Sequence, residues 1–390
     1  MSVPCATPPQ SEPIEHTMLR DAVSSIASRY GHCHFVAQSA TCGGRDSLWD
    51  ELTGSGFAGV NVREKFGGGG GGIAELAIVE EELAAAGCPS MMMVVSGGLC
   101  VPMIQAFGTD EQQQHWLPRL ARGSTMAFSF TESDAGSNSH AISTSAVPTA
   151  RGWSLRGSKV YTSGLDQASD VLVVARTRSG SADKDAGLSM FVLPANAHGL
   201  EFHAISTAVA TPEGQYVVHL DDVEADEVAL LGEPGAGLRQ LFVGLTSERI
   251  VAAALCNGLA RYCLDKAVAY AKERHVWGQP IGAHQSIAHP LAEAAIDLEG
   301  ARLMTRHAAL TYDAGGDAGF LGDAAKHLSA RAVARCFDVA VQTHGGNGLS
   351  YEYGLADLWG LVRLYTIAPV SREMVLCSVA QRVLGLPRSF

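Results

Sequence analysis

FSFTESDAGSNS, residues 128–139, joins a short run with alternating phenylalanines to a turn rich in acids, serines and glycine. The alternation favours a β-strand, and the polar residues after it favour a bend. Such a bend exposes backbone N–H groups and hydroxyls, which suits an aromatic heterocycle or a phosphate. An ordinary transition from strand to loop explains the same residues, so the flanking sequence has to decide.

The pattern of apolar and polar residues changes on either side of this segment. From about residue 14 to 123, apolar residues recur at spacings of three and four, as in IAELAIVEEELAAAG (73–87), which is typical of amphipathic helices. From 125 to 232, short β-branched and aromatic runs are divided by Gly, Asp, Asn and Pro. Long helical patterns then return near 238–273, 285–313, 318–345 and 355–384.

This order predicts an α+β protein of three parts. We expect an N-terminal helical domain (1–124), a central antiparallel β-domain built as a small barrel or sandwich (125–235) and a C-terminal four-helix bundle (236–390).

Composition excludes several classes of partner. A formal net charge of −12 over 390 residues argues against nucleic acid or an anionic membrane, because both require dense basic surface. No uncharged apolar stretch of 18 residues occurs, so we expect no membrane span. The nine cysteines are odd in number and lack a Cys-x-x-Cys pair, which favours reduced thiols, a cytoplasmic location and no metal site. The first residues show no signal peptide, which agrees with that location.

A run of glycines, FGGGGGG (66–72), resembles a phosphate loop only superficially. It lacks the Lys-Ser/Thr ending of such loops, and no strand pattern precedes it. We therefore interpret it as a flexible turn.

Two further segments break the pattern of their surroundings. YAKERHVWGQPIGAHQ (270–285) ends a helix in a basic, aromatic turn, where Arg274 and Trp277 are able to grip a flat charged ligand or a neighbouring subunit. A cation that complements the helix dipole explains Arg274 equally well. QTHGGNGLSYEYG (342–354) marks a tight helix stop, which a glycine cap also explains.

These segments, together and in this order, resemble the acyl-CoA dehydrogenase superfamily over residues 17–387. FSFTESDAGSN is similar to the family's flavin-binding strand, usually TEPxAGSD. ERHVWGQPIGAHQ resembles its Arg-x-x-Phe-Gly…Gln segment, and QTHGGNGLSYEYG its Gln-x-x-Gly-Gly-x-Gly segment. GWSLRGSKVYTSG (152–164) matches the strand that carries a Trp/Thr pair, with Tyr161 and Ser163 in those places.

The resemblance implies FAD bound between the β-domain and the bundle, and subunits assembled as a homotetramer or dimer. Tyr161 would cover the isoalloxazine, Ser163 would bond near its N5, and Ser137 would also lie near the thioester. The residues implied on FAD within one subunit are Phe128, Phe130, Thr131, Gly136, Ser137, Tyr161 and Ser163, with Ser371 and Glu373 late in the chain. Those implied on the FAD of a neighbouring subunit are Arg274, which would meet the pyrophosphate, Trp277, Gln285, Gln342 and Gly346.

The family's reaction removes the α-hydrogen of an acyl thioester as a proton and the β-hydrogen as a hydride. It therefore needs a carboxylate base with a raised pKa and donors for the enolate oxygen. Many members carry the base in a late Ile-x-Glu-Gly-Thr motif. The corresponding stretch here is YTIAPVSREM (365–374), where Pro369 stands in place of that glutamate and also removes the backbone N–H. Ala368 replaces a commonly bulky neighbour and widens the expected acyl pocket.

Isovaleryl-type and long-chain members carry the base in a Glu-Arg pair on the first bundle helix. TSERIVAAAL (246–255) matches that pattern, so we expect Glu248 to be the base, with Arg249 on the substrate side. A first-turn acid stabilised by the helix dipole is the simpler alternative for Glu248, worth about 0.3–1 kcal/mol.

The sequence thus predicts FAD-dependent conversion of an acyl-CoA to the trans-2-enoyl-CoA, with an electron-transfer flavoprotein as the acceptor. Pro369 leaves open a catalytically incomplete FAD-binding subunit that supports an active partner. A flavin oxidase or N-oxygenase on the same fold is the third reading. Acyl length and branching are not specified by the sequence.

Overall fold

The computed structural model describes residues 12–41, 46–177 and 187–388. Its N-terminal part is helical, as the apolar spacing predicts, and includes a π-helical segment, Met93–Cys100, between its fourth and fifth α-helices. The α-helices here are α1 (Ile14–Ala27), α2 (Gly31–Thr41), α3 (Ser47–Gly54), α4 (Ile73–Ala85), α5 (Val101–Phe107) and α6 (Asp110–Ala121).

The glycine run before α4 is a packed segment and not the free turn that we expected. The N–H groups of Gly69, Gly70 and Gly71 donate to the carbonyls of residues 59, 62 and 60 at 2.9–3.0 Å. A Cβ on Gly68 would lie 2.2 Å from a backbone oxygen, so only glycine fits there. The Asp313 carboxylate accepts from the first two N–H groups of α4, both at 2.8 Å, and so occupies the helix end where an anion would bind.

The central part is a sheet of eight strands. The strands are β1 (Met126–Ser129), β2 (Ser145–Thr149), β3 (Gly152–Ser163), β4 (Asp170–Thr177), β5 (Leu188–Pro194), β6 (Leu200–Ala204), β7 (Gln215–Asp226) and β8 (Leu230–Leu231). Their order is β6-β7-β3-β2-β4-β5-β8, with β1 paired beside β4. Most neighbours are antiparallel, whereas β1 and β2 each run parallel to β4.

Long helices return after the sheet, with a two-stranded hairpin between the first two. The elements are α7 (Gly237–Glu273), β9 (His275–Val276), β10 (Gln279–Pro280), α8 (Gln285–Asp313), α9 (Gly319–His344), α10 (Trp359–Leu364) and α11 (Arg372–Arg382). Helix α7 is the centre of the molecule: residues 250–260 along it are buried. Gly258 permits close approach to α4, because a Cβ there would lie 2.2 Å from the Glu81 carbonyl oxygen.

The predicted last bundle helix, 355–384, is wrong in one respect, since it is two helices with a turn at 365–371. Pro369 explains the break, because proline lacks the N–H that would continue the ladder and disfavours helical geometry in the residue before it. The α+β class and the three-part order are confirmed, and the domain boundaries stay a prediction.

Candidate active site

Glu248 lies on α7 eleven residues after the helix begins at Gly237, so the first-turn alternative for this acid is wrong. Its side chain is 6% exposed, and among the described residues no hydrogen bond or salt bridge reaches its carboxylate. Burial raises the pKa of Glu248 to about 8, and the guanidinium of Arg249 offsets only part of that effect. A carboxylate with this pKa is suited to accept a proton near neutral pH.

The next residue, Arg249, forms a salt bridge of 3.0 Å with Asp323 on α9. Both side chains are largely buried. The pair links α7 to α9 at the residue next to Glu248. The sequence-based assignment of Arg249 to the substrate stays a prediction, and its observed contact is a structural one.

Lys326 of α9 contacts the turn between α10 and α11, because its ammonium donates a hydrogen bond to the Val370 carbonyl. Ala368 N–H donates to the Leu364 carbonyl at 2.8 Å, and Pro369 has no N–H, so neither is available to a substrate oxygen. Val370 N–H has no partner among the described residues. Ser371 N–H also has no acceptor there, so these two are the backbone donors that the turn leaves for an oxyanion.

The other late residues assigned to the flavin lie at the start of α11. The Ser371 hydroxyl accepts from Met374 N–H at 3.3 Å and caps the helix, while Glu373 is exposed in its first turn. Both have local structural reasons to be there. Their roles toward a flavin are not tested by these contacts.

The end of β1 carries the first predicted flavin residues. Phe128 and Phe130 are half-buried and stack with ring centroids 5.7 Å apart, which is possible because alternate strand residues share one face. The next residue, Thr131, accepts at its carbonyl from Val160 N–H at 2.9 Å, so this strand end is tied to β3. Gly136 and Ser137 are exposed in the turn that follows, and a Cβ on Gly136 would meet nothing within 4 Å.

Glu132, inside this motif, is an anchor that the sequence analysis did not single out. Its carboxylate accepts from Lys159 Nζ at 2.8 Å, from Ser143 N–H at 2.7 Å and from Thr144 N–H at 3.0 Å. Although burial raises the pKa of Glu132, the hydrogen bonds from Lys159, Thr144 and Ser143 outweigh it and lower the pKa to about 2. Lys159 is fully buried, which is rare for lysine unless it is paired, and its place in the apolar alternation of β3 was the available signal.

Tyr161 and Ser163 lie at the end of β3 beside this anchor. The pairing of β3 with β7 shifts between residues 159 and 162, and Tyr161 has a left-handed backbone with φ of 59°. This geometry turns the Tyr161 ring outward, where 63% of its surface is exposed. Ser163 is buried and exchanges hydrogen bonds with Gln215 at 2.9 and 3.2 Å.

Cys100 lies between the start of β1 and Glu248. The Cys100 thiol contacts the carbonyl oxygens of Met126 and Ala127 on β1 at 3.8 and 3.9 Å. The same thiol is fully buried, and both burial and the neighbouring Glu248 raise its pKa. The predicted base therefore lies near the start of the strand that leads into the FSFTESDAGSNS turn.

The remaining predicted flavin residues lie elsewhere. Arg274 follows the last residue of α7 and is 26 residues beyond Glu248, which corresponds to about 39 Å along the helix axis. Gln342 and Gly346, at the end of α9, join the same region, since Asn347 donates to Tyr270 near the end of α7 at 3.0 Å. One chain therefore does not gather these residues around Glu248.

The hairpin at this distant end presents an aromatic ring to its surroundings. Trp277 and Gly278 both have positive φ, as a two-residue hairpin turn requires. The Trp277 side chain is 88% exposed and meets His284 edge-to-face at 5.7 Å. Gln285, the first residue of α8, is exposed beside it.

These surfaces fit a dinucleotide with a flat ring. The Tyr161 ring is uncovered, Phe128 and Phe130 stack on each other on the neighbouring strand end, and Gly136 leaves room for close backbone approach. After α9, Gly345 and Gly346 are equally open. Within the described ranges no group of His, Cys, Asp and Glu is arranged to hold a metal ion, and none of the helices there could cross a bilayer.

Three family models match nearly the whole chain. They are the acyl-CoA dehydrogenase N-terminal domain over residues 13–124, the middle domain over 127–223 and the C-terminal domain over 235–384.

Individual proteins match over similar lengths. The chain is 47% identical to acyl-CoA dehydrogenase FadE12 of Mycobacterium tuberculosis H37Rv over 379 residues, 96% of this chain and 97% of the relative. It is 32% identical to a glutaryl-CoA dehydrogenase of Desulfococcus multivorans over 295 residues, 74% of this chain and 75% of the relative. Among solved structures, butyryl-CoA dehydrogenase of Megasphaera elsdenii superposes with a TM-score of 0.91 at 25% identity, covering 97% of this chain and 100% of the other.

Proposed function

The chain belongs to the acyl-CoA dehydrogenase family, whose members depend on FAD, and we propose that it converts an acyl-CoA to the trans-2-enoyl-CoA with Glu248 as the base. The observation that carries this proposal is a buried carboxylate with a raised pKa and no hydrogen-bond partner among the described residues, on the helix where the family resemblance expects the base. FAD, when bound, supplies the acceptor for the β-hydride.

Glu248 removes the α-proton and holds it on its carboxyl group. Helix α7 holds this carboxylate in place, and the Arg249–Asp323 salt bridge anchors the helix to α9 at the next residue. The developing negative charge on the thioester oxygen needs a donor, and the candidates in the late turn are the N–H groups of Val370 and Ser371. The Lys326 bond to the Val370 carbonyl orients the peptide unit that carries Ser371 N–H.

Anaerobic mixing with acyl-CoA tests the role of Glu248. Glu248→Gln keeps the size of the side chain and removes its basicity, so flavin bleaching is expected to slow by at least about 10²-fold. Glu201→Gln, on exposed β6, is the matched control and should bleach normally. Normal bleaching by the Glu248→Gln protein would show that another group is the base.

We also propose that Arg274, Trp277, Gln285, Gln342 and Gly346 bind the FAD of a neighbouring subunit in a homodimer or tetramer. The distance along α7 supports this, because one FAD cannot reach both groups of residues in one chain. Trp277→Ala is expected to weaken FAD retention while the chain stays folded. Sedimentation together with the flavin-to-protein ratio measures both, and full FAD retention in the variant would contradict the proposal.

The electron acceptor that we propose, from the family, is an electron-transfer flavoprotein. The seven cysteines in the described ranges carry free thiols, which supports a cytoplasmic location. Reoxidation of the acyl-CoA-reduced protein by electron-transfer flavoprotein, compared with oxygen, separates a dehydrogenase from an oxidase. A yellow homo-oligomer that acyl-CoA reduces without a second subunit would exclude the incomplete-subunit reading.

A further inference from the structure

Lys326 on α9 is a buried ammonium group whose hydrogen-bond partner is a backbone carbonyl. Its side chain is 2% exposed, and it donates to the Val370 oxygen in the turn between α10 and α11. Among the described residues no salt bridge reaches it, and Asp323, one turn earlier on α9, pairs with Arg249. Lysine is almost never fully buried without a carboxylate partner, and a neutral donor would satisfy one carbonyl at a lower cost of burial. The charge of Lys326 therefore needs a reason.

The hydrogen bond from Lys326 fixes one peptide unit of the turn. The Val370 carbonyl and the Ser371 N–H belong to the same planar trans peptide, in which the two groups point in opposite directions. Ser371 N–H therefore points away from Lys326, and it has no acceptor among the described residues. Both residues are half-buried, so this turn is not sealed inside the core.

The same bond distinguishes the two candidate oxyanion donors. A charged donor on a peptide carbonyl polarises the whole peptide and makes its N–H a stronger donor. Burial lowers the pKa of Lys326 to about 8, so the ammonium is still charged at neutral pH. Val370 N–H belongs to the preceding peptide, and the Pro369 carbonyl of that peptide accepts no hydrogen bond from the described residues. Ser371 N–H is thus the donor that is both held and polarised.

The proposed base and this turn are attached to one short stretch of α9. A Cβ on Gly322 would lie 3.4 and 3.7 Å from the α7 residues two before and two after Glu248. The Arg249–Asp323 salt bridge joins the same stretches, and Lys326 follows one turn later on α9. The α-carbon and the oxygen of a thioester are only two bonds apart, so the base and the oxyanion donor have to be held by neighbouring parts of the fold, as these are.

We propose that Ser371 N–H is the oxyanion donor of the site and that Lys326, bound to the carbonyl of the same peptide, is its positioning residue. The inference rests on the proposed function and specifies how the enolate is stabilised. When the α-C–H bond breaks, the proton goes to Glu248 and the electron pair to the enolate. Ser371 N–H donates to the enolate oxygen, and the ammonium offsets its charge through the peptide. Neither Ser371 nor Lys326 gains or loses a proton.

The ionisation of a bound 3-oxoacyl-CoA tests the proposal without dehydrogenation. Acetoacetyl-CoA loses an α-proton to form an enolate with its own absorbance, so titration of the complex with FAD-loaded protein measures how well the site stabilises the charged oxygen. Lys326→Met keeps the length of the side chain and removes its charge and hydrogen bond. We expect it to lower the acidity constant of bound acetoacetyl-CoA, and the rate of flavin reduction by acyl-CoA, by at least about tenfold.

A second ligand separates positioning from a purely structural role. S-Alkyl-CoA thioethers lack the thioester oxygen, so their affinity should change by less than about twofold in Lys326→Met, as should FAD retention. Lys65→Met, which removes an exposed lysine outside the site, is the matched control. Equal losses for the thioether and for acetoacetyl-CoA enolate would show that Lys326 only supports the fold, and would overturn the proposal.

Lys326→Gln separates the charge from the hydrogen bond. Glutamine offers a neutral donor to the Val370 carbonyl, so it should recover the thermal stability that Lys326→Met loses. The acidity constant of bound acetoacetyl-CoA should stay low, because the charge is still absent. Full recovery of that acidity by glutamine would refute polarisation by Lys326.

The N–H of Ser371 is tested by a pair of substitutions. Ser371 has φ of −66°, which suits proline, so Ser371→Pro removes the N–H at a backbone angle that proline adopts. Ser371→Ala removes the same hydroxyl and keeps the N–H, so the difference between the two variants isolates the N–H. We expect bound acetoacetyl-CoA to be at least about tenfold less acidic in the proline variant than in the alanine variant. Equal acidity in two folded variants would overturn the assignment of Ser371 N–H.

The two assays also separate this inference from the proposed function. Loss of enolate acidity in Lys326→Met, in a protein whose flavin no acyl-CoA reduces, would support the oxyanion site and refute the proposed dehydrogenation. Flavin reduction by wild-type protein, with unchanged enolate acidity in Lys326→Met, would support the dehydrogenation and refute the role of Lys326.

Discussion

Replacing Glu248 with glutamine should stabilise the FAD-free protein, and the gain should grow with pH. Burial raises the pKa of this carboxyl from an ordinary 4.5 to about 8. Between those values the unfolded chain releases the proton and the folded chain keeps it, so each rise in pH favours unfolding. Below pH 4.5 the carboxyl is protonated in both the folded and the unfolded chain, and above about pH 8 it is ionised in both. The loss of folding stability is therefore confined to the pH range between these values.

The magnitude follows from the two pKa values. An interval of about 3.5 pH units corresponds to about 5 kcal/mol at about 1.4 kcal/mol per unit, and the part that falls between pH 6 and pH 8 is about 2 kcal/mol. Glutamine cannot ionise, so Glu248→Gln escapes this loss. With an unfolding entropy of about 2.1 cal/mol/K per residue, the gap in Tm should widen by about 2 °C over that range.

Thermal unfolding of FAD-free wild type and Glu248→Gln at pH 6, 7 and 8 measures the gap. Glu201→Gln should run parallel to the wild type, because an exposed carboxylate is solvated in both states. A gap that stays constant or narrows with rising pH would refute the claim that Glu248 is buried without a partner. The same pKa predicts that kcat/KM falls below about pH 8, since a protonated Glu248 cannot accept the α-proton.

Two other predictions concern the supports of the site. Lys159→Met should destabilise the protein by about 3–5 kcal/mol in urea unfolding, because it leaves the Glu132 carboxylate buried without its cation. The double variant that adds Glu132→Gln should recover much of that loss, and equal damage in both variants would show that the lysine matters only for packing. Gly72→Ala should lower stability by about 1–3 kcal/mol, because the new Cβ would lie 2.4 Å from the Asp313 carboxyl that caps α4. An unchanged urea midpoint would mean that Asp313 moves without losing its two hydrogen bonds.

The elements that could be predicted from the sequence are those with a strong local signal. Helix α7 and the strands around FSFTESDAGSNS follow from apolar spacing and turn residues alone. The break at Pro369 was missed, because the apolar period of 355–384 continues across it although the backbone cannot. The glycine run was misjudged because its hydrogen-bond partners lie outside it, in residues 59–62, and because Asp313, which is distant in sequence, caps the helix that follows it.

The buried acidic residues also differ in whether a local sequence signal marks them. Glu248 was found because a motif marks it, whereas Glu80 and Glu213, which are buried as well, have no local signal that distinguishes them from surface acids. Glu80 stands in a row of three glutamates on α4, and its two neighbours pair with arginines while it turns inward. Only the packing of α4 against the 88–92 turn makes that choice, and packing is not visible in one sequence.

The sequence departs from the commoner family pattern at two places, with Pro369 in the late motif and Glu248 as the expected base on α7. Both departures have one physical explanation. With the base on α7, its position is set by a helix that the Arg249–Asp323 salt bridge anchors to α9. The turn at 365–371 then has no carboxylate to position, and its remaining task is to present the N–H groups of Val370 and Ser371, which have no partner among the described residues. A proline at 369 is compatible with this task, because both N–H groups come after it and Lys326 holds the Val370 carbonyl between them. Proline at 369 is therefore what a turn without the base can tolerate, and it does not by itself imply a disabled site.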